Sequence, residues 1–382
     1  MFSDDWGRHP SSCQHLVRQL AAEYRVLWVN TIGTRSPKLD TATVRRALGK
    51  LFPSPASPSA PNDQPPSPVR VLNPLMWPWF RNPFDRALNR RLLSSALRTA
   101  VATLPRPVIA VTTIPLVADL VGSLAVDRWV YYCVDDLAAW PGLDGKPLQA
   151  MERELLAKVD DVITVSDFLH DRLQKMGRGS TVISHGVDLP HWAGSSAVSR
   201  LPASLGELPT PWILFWGLID ERLDQQWLLR LADSLPSGKI VLVGPVVAMS
   251  SRLSEHPRIA LTGPVSYQVL PALANHASVL VMPYKTMPAT EAMQPLKLKE
   301  YLATSLPCVV PQLPSTLPWK DCVDIAASGQ QFAEAVLTRL ETGLPSCQRS
   351  ARLRLADESW QAKAGQFTAV LEGELGSIPS IA

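Results

Sequence analysis

The strongest constraint on the fold is a series of short, largely apolar runs in the second half of the chain. These runs are Trp212–Trp216, Lys239–Val243, Arg258–Leu261, Ser278–Met282 and Cys308–Val310. They lack the polar alternation of a half-exposed strand, so they indicate parallel strands covered on both faces. Helical patterns separate them, at Asp224–Leu235, Ser266–His276 and Pro295–Thr304. This order predicts a doubly wound α/β domain.

The first half of the chain follows the same order less regularly. After a very short first strand before Asp4, strands are predicted at Arg25–Val29, Val69–Leu72, Val108–Val111, Trp129–Val134, Val162–Val165 and Thr181–Ser184. Helices are predicted at Ser12–Tyr24, Phe84–Leu104, Lys146–Val159 and Asp167–Met176. Residues 53–68 contain seven prolines and a single charge. That composition cannot pack and predicts a mobile surface loop.

The length of 382 residues favours two domains at roughly 150 residues each. We expect a Rossmann-like domain over residues 1–192, a linker rich in Ser, Ala, Gly and Pro over 193–211, and a second Rossmann-like domain over 212–357. A final helix, Glu358–Leu375, lies in the remaining segment 358–382 and is expected to cross back to the first domain. The carboxyl ends of both sheets are expected to face a central cleft, where such folds bind ligands.

Composition excludes several classes of protein. Apolar residues make up 46% and charged residues 19%, which is incompatible with a disordered, charge-rich chain. The net charge of only +3 argues against nucleic-acid binding. Five scattered cysteines have no zinc or disulfide spacing, so reduced thiols in a cytoplasmic protein are expected. We expect no signal peptide and no membrane-spanning helix.

The segment that begins at Pro295 is the most informative for chemistry. Proline suits the first position of a helix, and the free N–H groups of that first turn would form an anion site for a diphosphate. Lys297 lies in the same turn, and Glu300 follows at a spacing that lets its carboxylate accept hydrogen bonds from a ribose diol. The alternative is that both are solvated helix residues.

The order of several motifs resembles the retaining GT-B glycosyltransferases of family 4, the group 1 glycosyltransferases. The motifs are Pro295-Leu-Lys-Leu-Lys-Glu-Tyr-Leu-Ala303 with Leu306–Val310, Tyr131–Asp136, Asp160–Ser166, His185–Asp188, Gly217, Val241–Pro245 and Gly263–Tyr267. The similarity covers nearly the whole chain. It implies an α/β GT-B architecture of two Rossmann-like domains and an enzyme that takes a sugar from a nucleoside diphosphate donor. The family generally needs no bound metal or other cofactor.

The resemblance also implies a donor site in the second domain. Glu300 would hold the ribose, the Pro295 helix start with Leu296 and Lys297 would hold the diphosphate, and Gly263–Tyr267, including Val265, would line the base pocket. Gly217, Arg222, Lys285 and Gln294 complete the expected donor residues.

Two positions depart from the family pattern. The glutamate usually found eight residues before the ribose glutamate is replaced by Ala292, and Glu291 is one residue out of register. The Arg and Lys that normally follow the glycine at Gly217 are absent, and only Arg222 is near. For the first, either a loop absorbs the shift or backbone groups and Gln294 take over the polar role. For the second, diphosphate binding would depend on the helix start, Lys297 and either Lys285 or Arg222, with reduced donor affinity or activity as the alternative outcome.

Candidate residues of the first domain lie at the ends of its strands. Asp135 and Asp136 follow a strand and are expected near the reacting sugar, with a helix N-cap as the alternative for Asp136. Trp6, Gly7 and Ser11 are expected on the acceptor side, with capping favoured for Ser11. His9 is a remote candidate for a general base, and His185 is interpreted as a structural turn residue.

Residues 75–98 combine aromatics with a cationic helix, and the whole segment carries five arginines and one acidic residue. This pattern suits peripheral contact with an anionic membrane surface. A helix that buries Leu88, Leu92, Leu93, Ala96 and Leu97 and leaves its arginines in water is slightly favoured.

The sequence therefore predicts transfer of a sugar to a hydroxyl of a glycan or lipid-linked acceptor in polysaccharide biosynthesis. An epimerase of sugar nucleotides and a weakly active binding homologue remain as alternatives. An oxidoreductase is disfavoured because no strand is followed by the spaced-glycine fingerprint of dinucleotide binding.

Overall fold

A computed structural model describes residues 1–7, 11–33, 69–193 and 207–373. His9, the proline-rich segment 53–68 and most of the predicted linker lie outside the described residues. The chain divides into two compact units, Met1–Ser184 with Ala364–Ala382, and His185–Lys363. We call these unit 1 and unit 2.

Unit 1 contains a sheet of seven parallel strands. The strands are β1 (Phe2–Ser3), β2 (Val26–Asn30), β3 (Val69–Leu72), β4 (Ile109–Thr112), β5 (Arg128–Cys133), β6 (Asp161–Thr164) and β7 (Thr181–Val182). Their order in the sheet is β3-β2-β1-β4-β5-β6-β7. The connections from β1 and β4 therefore lead to opposite sides of the sheet, as in doubly wound folds.

The helices of unit 1 are α1 (Ser12–Leu20), α2 (Pro83–Ala102), α3 (Gly145–Leu156) and α4 (Asp167–Lys175). Three of them begin at a side-chain cap. The side chains of Ser11, Asn82 and Ser166 accept hydrogen bonds from backbone N–H groups of the first turns of α1, α2 and α4. These caps satisfy donors that the helix itself leaves unpaired.

Unit 2 contains a sheet of six parallel strands. They are β8 (Trp212–Trp216), β9 (Lys239–Val243), β10 (Ile259–Gly263), β11 (Val279–Val281), β12 (Cys308–Pro311) and β13 (Asp324–Ala326). Their order is β10-β9-β8-β11-β12-β13. All five residues of β8 are buried, because the helices cover both faces of the sheet. Burying side chains of this size contributes about 1.5–3 kcal/mol each.

Most helices of unit 2 are short. The helices are α5 (Leu189–Ala193), α6 (Gln225–Ser234), α7 (Ser251–Ser254), α8 (Leu270–His276), α9 (Pro288–Ala292), α10 (Leu296–Leu302), α11 (Gly329–Thr342) and α12 (Ser346–Ala351). Of these, only α6 and α11 have ten or more residues. The last helix, α13 (Trp360–Leu371), starts in unit 2 and continues in unit 1 from Ala364.

The structure corrects three details of the sequence analysis. Pro295 is the N-cap of α10 with φ −71° and ψ 117°, not its first helical residue. Glu358 belongs to a 3₁₀ segment, and the final helix runs over Trp360–Leu371. Sequence reasoning also missed β13, because a three-residue strand gives too short an apolar run to recognise. The helix that follows it, α11, was missed with it.

Helix α2 buries Leu93 and Leu97 as predicted, whereas Ala96 is exposed. Asp85 and Asn89 extend the buried face instead, since they bond to the Trp77 side chain and to backbone groups of the preceding segment. Over the described ranges, no helix is both long and apolar enough to cross a membrane.

Candidate functional site

The point where the strand order of unit 2 reverses lies between β8 and β11. The chain leaves β8 at Trp216 toward β9, and it leaves β11 at Val281 toward β12 on the other side. Ligands of open α/β sheets bind outside the carboxyl ends of the strands at such a point. The residues there are therefore the first candidates for a site.

Lys297, in the first turn of α10, places its ammonium beside this point. The ammonium donates a hydrogen bond to the hydroxyl of Tyr284 and lies 4.3 Å from the ring centroid of Phe215 and 4.9 Å from that of Tyr284. A Cβ added at Gly217 would lie 2.3 Å from Nζ of Lys297, and Gly217 has a φ of +134°. Glycine is therefore favoured here by the backbone conformation, and a larger residue would displace the Lys297 ammonium from its present position.

Glu300 lies one turn further along α10. Its Oε2 accepts a hydrogen bond from Nε1 of Trp216 at 2.9 Å. Burial raises the pKa of the Glu300 carboxyl to about 7, although the hydrogen bond from Trp216 and the charge of Lys297 act in the opposite direction. A carboxylate and an ammonium thus lie near the same strand end, as the sequence predicted.

An array of aromatic rings adjoins Glu300. Tyr267 stacks on His191 with ring centroids 4.2 Å apart, and Trp192 stacks on Trp216 at 5.1 Å. Tyr301 meets Trp216 edge-on at 4.3 Å. Trp192 also meets Tyr267 edge-on at 6.1 Å, so Tyr267 of the predicted base pocket is connected through aromatic contacts to Trp216, the partner of Glu300.

The remaining predicted donor residues have mixed surroundings. Arg222 is buried and pairs with Asp220, with both Nε and Nη2 at 3.0 Å from the carboxylate. Lys285 is exposed, and Gln294 is half-buried. The charge of Arg222 is thus already balanced by a neighbour, whereas Lys285 remains accessible.

Ala292, where the family has a glutamate, is buried, and the neighbouring Glu291 is half-buried. Both lie in α9. A buried alanine cannot hydrogen-bond through its side chain, so a polar contact from this helix to a ligand depends on Glu291 or on backbone groups.

Gly263 ends β10 with a φ of +70°, and a Cβ there would meet nothing within 4 Å. Its carbonyl accepts a hydrogen bond from the N–H of Gly244 at 2.9 Å. Val265 follows in the half-buried loop that leads to Tyr267. The predicted base pocket is therefore an open strand end.

The opposite side of α10 carries a buried ion cluster. The Lys299 ammonium donates to the carbonyl of His185 and to the carboxylate of Glu358, which also pairs with Lys363 at 2.9 Å. Burial lowers the pKa of Lys299 to about 8 and that of His185 to about 3. His185 is therefore neutral at physiological pH, in agreement with a structural role.

In unit 1, the predicted acceptor-side residues have local roles. Ser11 caps α1, and the N–H of Gly7 donates to the Gln14 side chain at 3.1 Å. The Trp6 ring packs edge-on against Trp28 at a centroid distance of 4.7 Å. The capping role favoured for Ser11 is confirmed.

Asp135 and Asp136 follow β5, as predicted. Oδ1 of Asp136 accepts hydrogen bonds from the N–H groups of Ala138 and Ala139 at 3.1 and 3.3 Å, so it caps a turn rather than a helix. Its Oδ2 lies 3.6 Å from Nε of Arg172. Asp135 is half-buried at the strand end.

All five cysteines are free. Among the described residues, no group of three or more His, Cys, Asp or Glu side chains is placed to hold a metal ion.

Comparison with known proteins decides the family of the region that contains this site. The family model "Glycosyl transferases group 1" matches residues 210–342. The chain carries a group 1 glycosyltransferase domain. This group 1 domain includes Gly217, Lys297 and Glu300.

A curated relative agrees with this assignment. A Bacillus subtilis (strain 168) protein, TuaH, named as a glycosyltransferase of teichuronic acid biosynthesis, is 27% identical over 184 residues. The alignment covers 45% of this chain and 45% of the relative, so the two match over less than half of their length.

Solved structures extend the similarity to the whole chain at the level of the fold. Sucrose-phosphate synthase from Thermosynechococcus elongatus superposes with a TM-score of 0.68 at 18% identity, over 95% of this chain and 92% of that one. Anabaena Alr3699/HepE in complex with UDP-glucose gives a TM-score of 0.68 at 14% identity, over 97% and 98%. The predicted GT-B fold, with two parallel-sheet α/β domains, is confirmed.

The candidate site residue that sequence reasoning missed is Trp216, whose indole bonds to Glu300. The signal was present, since an indole directly precedes the glycine that faces Lys297. Its partner Glu300 is 84 residues away, and only the folded chain shows that the two meet.

Proposed function

We propose that this chain is a retaining glycosyltransferase that moves a sugar from a nucleoside diphosphate donor to a hydroxyl of a glycan or lipid-linked acceptor. The observation that carries the proposal is the meeting of Lys297, Gly217 and Glu300 at the point where the strand order of unit 2 reverses. It combines a cation for a diphosphate with a carboxylate for a diol, inside a group 1 glycosyltransferase domain.

In this proposal, Lys297 and the free N–H groups of the first turn of α10 bind the diphosphate. Helix α10 has only seven residues, so its dipole is small and the full charge of Lys297 carries most of the attraction. Glu300 accepts hydrogen bonds from the ribose, and the base lies by Gly263, Val265 and Tyr267. Since Anabaena HepE has been solved with UDP and with UDP-glucose, uridine is the first base to test.

The reaction breaks the bond between the sugar and the diphosphate and forms a bond to the acceptor oxygen on the same face of the sugar. The acceptor hydroxyl gives up its proton to the oxygen of the departing diphosphate. Negative charge develops on the departing diphosphate. Lys297 stabilises that charge, and a fixed cation of this kind lowers the barrier without reorganisation during the reaction. We assign the acceptor to unit 1, at the sheet edge that carries Asp135.

Contact with a membrane surface is part of the proposal for a lipid-linked acceptor. Phe84 at the start of α2 is 71% exposed and Leu75 is 53% exposed, and Arg90, Arg91 and Arg98 are exposed on the same helix. Exposed apolar side chains beside cations suit an anionic bilayer. Co-sedimentation with anionic vesicles at low salt tests it, and a chain that stays in the supernatant contradicts it.

Two observations favour a second candidate, a binding homologue with weak turnover. Ala292 provides no polar side chain toward a sugar, and Arg222 is held by Asp220. Such a protein would bind a nucleoside diphosphate sugar but transfer it slowly.

Calorimetric titration with uridine, guanosine and adenosine diphosphates tests the proposal. We expect one of them to bind, and Lys297→Met to weaken that binding at least tenfold, since charged hydrogen bonds are worth about 1.5–3 kcal/mol. Lys320→Met, an exposed lysine of the same unit, is the matched control. Absence of binding to all three nucleotides would contradict the proposal. Binding without release of nucleotide from UDP-glucose and a panel of glycan acceptors would favour the second candidate.

A further inference from the structure

We infer that Trp216 is a positioning residue for Glu300, whose indole N–H fixes the direction of the carboxylate and favours its ionised form. The link to nucleotide binding rests on the proposed function. The contact between the two side chains can be tested without any ligand.

The contact joins two elements that meet only in the folded chain. Trp216 is the last residue of β8, and Glu300 lies in the middle of α10. Nε1 of Trp216 is 2.9 Å from Oε2 of Glu300, a usual distance for an N–H···O hydrogen bond, and the acceptor becomes charged when Glu300 ionises. Hydrogen bonds to a charged acceptor are about twice as strong as those between neutral groups.

The indole is fixed on several sides. Trp216 is 4% exposed, with Trp192 stacked on it at an interplanar angle of 9° and Tyr301 edge-on at 74°. The Tyr301 hydroxyl also accepts a hydrogen bond from the backbone N–H of Trp216 at 3.4 Å and donates one to the carbonyl of Val281 at 3.1 Å. Because ring and backbone are both held, the N–H has one direction.

The hydrogen bond leaves the carboxylate with an oxygen for a ligand. Oε2 is bonded to Trp216, and within the described part of the chain no further hydrogen bond to the Glu300 side chain is present. Oε1 is thus the atom that would receive a ribose hydroxyl. Its direction follows from that of Oε2, since the two oxygens belong to one rigid plane.

Ionisation of Glu300 depends on few groups. Burial favours the neutral acid, whereas the Trp216 hydrogen bond and the Lys297 ammonium favour the carboxylate, and the balance gives a pKa of about 7. The adjacent Tyr301 is neutral, since burial raises its pKa well above the usual value. The indole N–H only donates hydrogen bonds and does not ionise near neutral pH. It therefore interacts more strongly with the Glu300 carboxylate than with the neutral acid. Removing it is expected to raise the pKa of Glu300 further.

The first test uses the protein without ligand. In a ¹⁵N-labelled sample, the indole signal of Trp216 is expected to shift between pH 5 and pH 9 with a midpoint at about 7, and the titration is expected to disappear in Glu300→Gln. The signal of Trp216 is identified as the indole signal that Trp216→Phe lacks. If this signal does not shift with pH in the wild type, the inference is overturned. If Trp216→Phe does not fold, the wild type and Glu300→Gln still test the inference, because one indole signal should titrate in the first protein and none with that midpoint in the second.

The second test measures the affinity for uridine diphosphate against pH. Trp216→Phe is expected to lower the affinity about tenfold at pH 7.5 and to move the midpoint of its pH dependence upward. Trp212→Phe removes an indole from the same strand, where it bonds to the Leu208 carbonyl at 3.3 Å, and is expected to change the affinity less than about twofold. Equal losses in the two variants would overturn the inference.

A double variant separates positioning from general packing. If Trp216 acts through Glu300, then Trp216→Phe combined with Glu300→Gln binds no more weakly than Glu300→Gln alone. Additive losses would contradict the inference. An indole titration in a protein that binds no nucleoside diphosphate would support the Trp216–Glu300 contact and contradict the proposed function, so the two failures are distinguishable.

Discussion

The two sheets of this protein have closely related strand orders, but the residues at the carboxyl edges of the two sheets differ in what they contact. At the end of β8 in unit 2, a lysine, a carboxylate and a glycine that leaves room for the lysine lie together. At the corresponding edge of unit 1, Ser11 and Asp136 accept hydrogen bonds from nearby backbone N–H groups.

The difference shows what topology decides and what it leaves open. A doubly wound sheet brings loops to one edge in both units. Whether that edge binds a ligand depends on its charged groups. Burying a charged group costs free energy, and a buried charge that the local structure does not need is therefore a candidate for ligand binding. Glu300, with its raised pKa, is such a group, whereas the Asp136 carboxylate contributes directly to the local fold.

Glu300→Gln tests the unit 2 side of this comparison most severely. We expect it to weaken binding of uridine diphosphate on the order of 100-fold at pH 8, because the amide lacks the charge that strengthens the hydrogen bond from the ribose and the one from Trp216. In the wild type, affinity should rise as the pH increases through about 7, because the carboxylate forms in that range. The terminal phosphate of the nucleotide ionises at a pKa of about 6 in both proteins, so the variant should lose only the part of the dependence that belongs to Glu300. Calorimetry across this range measures both. Glu341→Gln, an exposed position in α11, is the control, and a variant that keeps the wild-type affinity would remove Glu300 from the site.

Gly217→Ala sharpens the comparison because the added Cβ is directed at Lys297. The added Cβ would meet Nζ of Lys297 at 2.3 Å, so we expect about tenfold weaker nucleotide binding together with a loss of stability of about 1–3 kcal/mol from the positive φ. Gly343→Ala also adds a Cβ at a residue with positive φ, +67°, but with nothing within 4 Å. It should lose about 1–3 kcal/mol of stability without a change in affinity. Urea unfolding and calorimetry separate the two effects, and parallel losses of affinity in both variants would count against a local role for Gly217.

Asp136→Asn examines the unit 1 side and has the smallest expected effect. The amide oxygen can still cap the turn, but the ion pair with Arg172, in which both side chains are largely buried at 13% and 17% exposure, is lost. We expect a decrease of about 1 kcal/mol in the free energy of unfolding and nucleotide binding within twofold of wild type. Asp171→Asn, exposed on α4, is the stability control. A large loss of nucleotide affinity would show that the two edges are less different than the contacts indicate.

Much of the fold was predictable because parallel strands buried on both faces leave apolar runs. Trp212–Trp216, Lys239–Val243 and Val69–Leu72 were predicted with the bounds that the structure has. The strand Asp324–Ala326 was not, because three residues with one charge carry no such signal. Helix ends shifted by one or a few residues, as at Pro295, where cap and first turn have similar composition.

The candidate site was predictable only in part. Lys297 and Glu300 could be proposed because they share one helix, so their spacing alone brings them together. The Trp216 contact, the pairing of Arg222 with Asp220 and the burial of Ala292 depend on packing between distant or irregular segments. Neither periodicity nor spacing reports such contacts.

Helix α10 is under two turns long, and isolated helices of that length are unstable in water. Its rotation about its own axis must therefore be imposed by its surroundings, and the buried contacts of Lys299 with His185 and Glu358 impose it. A substitution at Lys299 that rotates the helix by one residue, about 100°, would swing the neighbouring carboxylate away from the strand end. Ligand selectivity in this protein is consequently open to change from positions that no ligand touches.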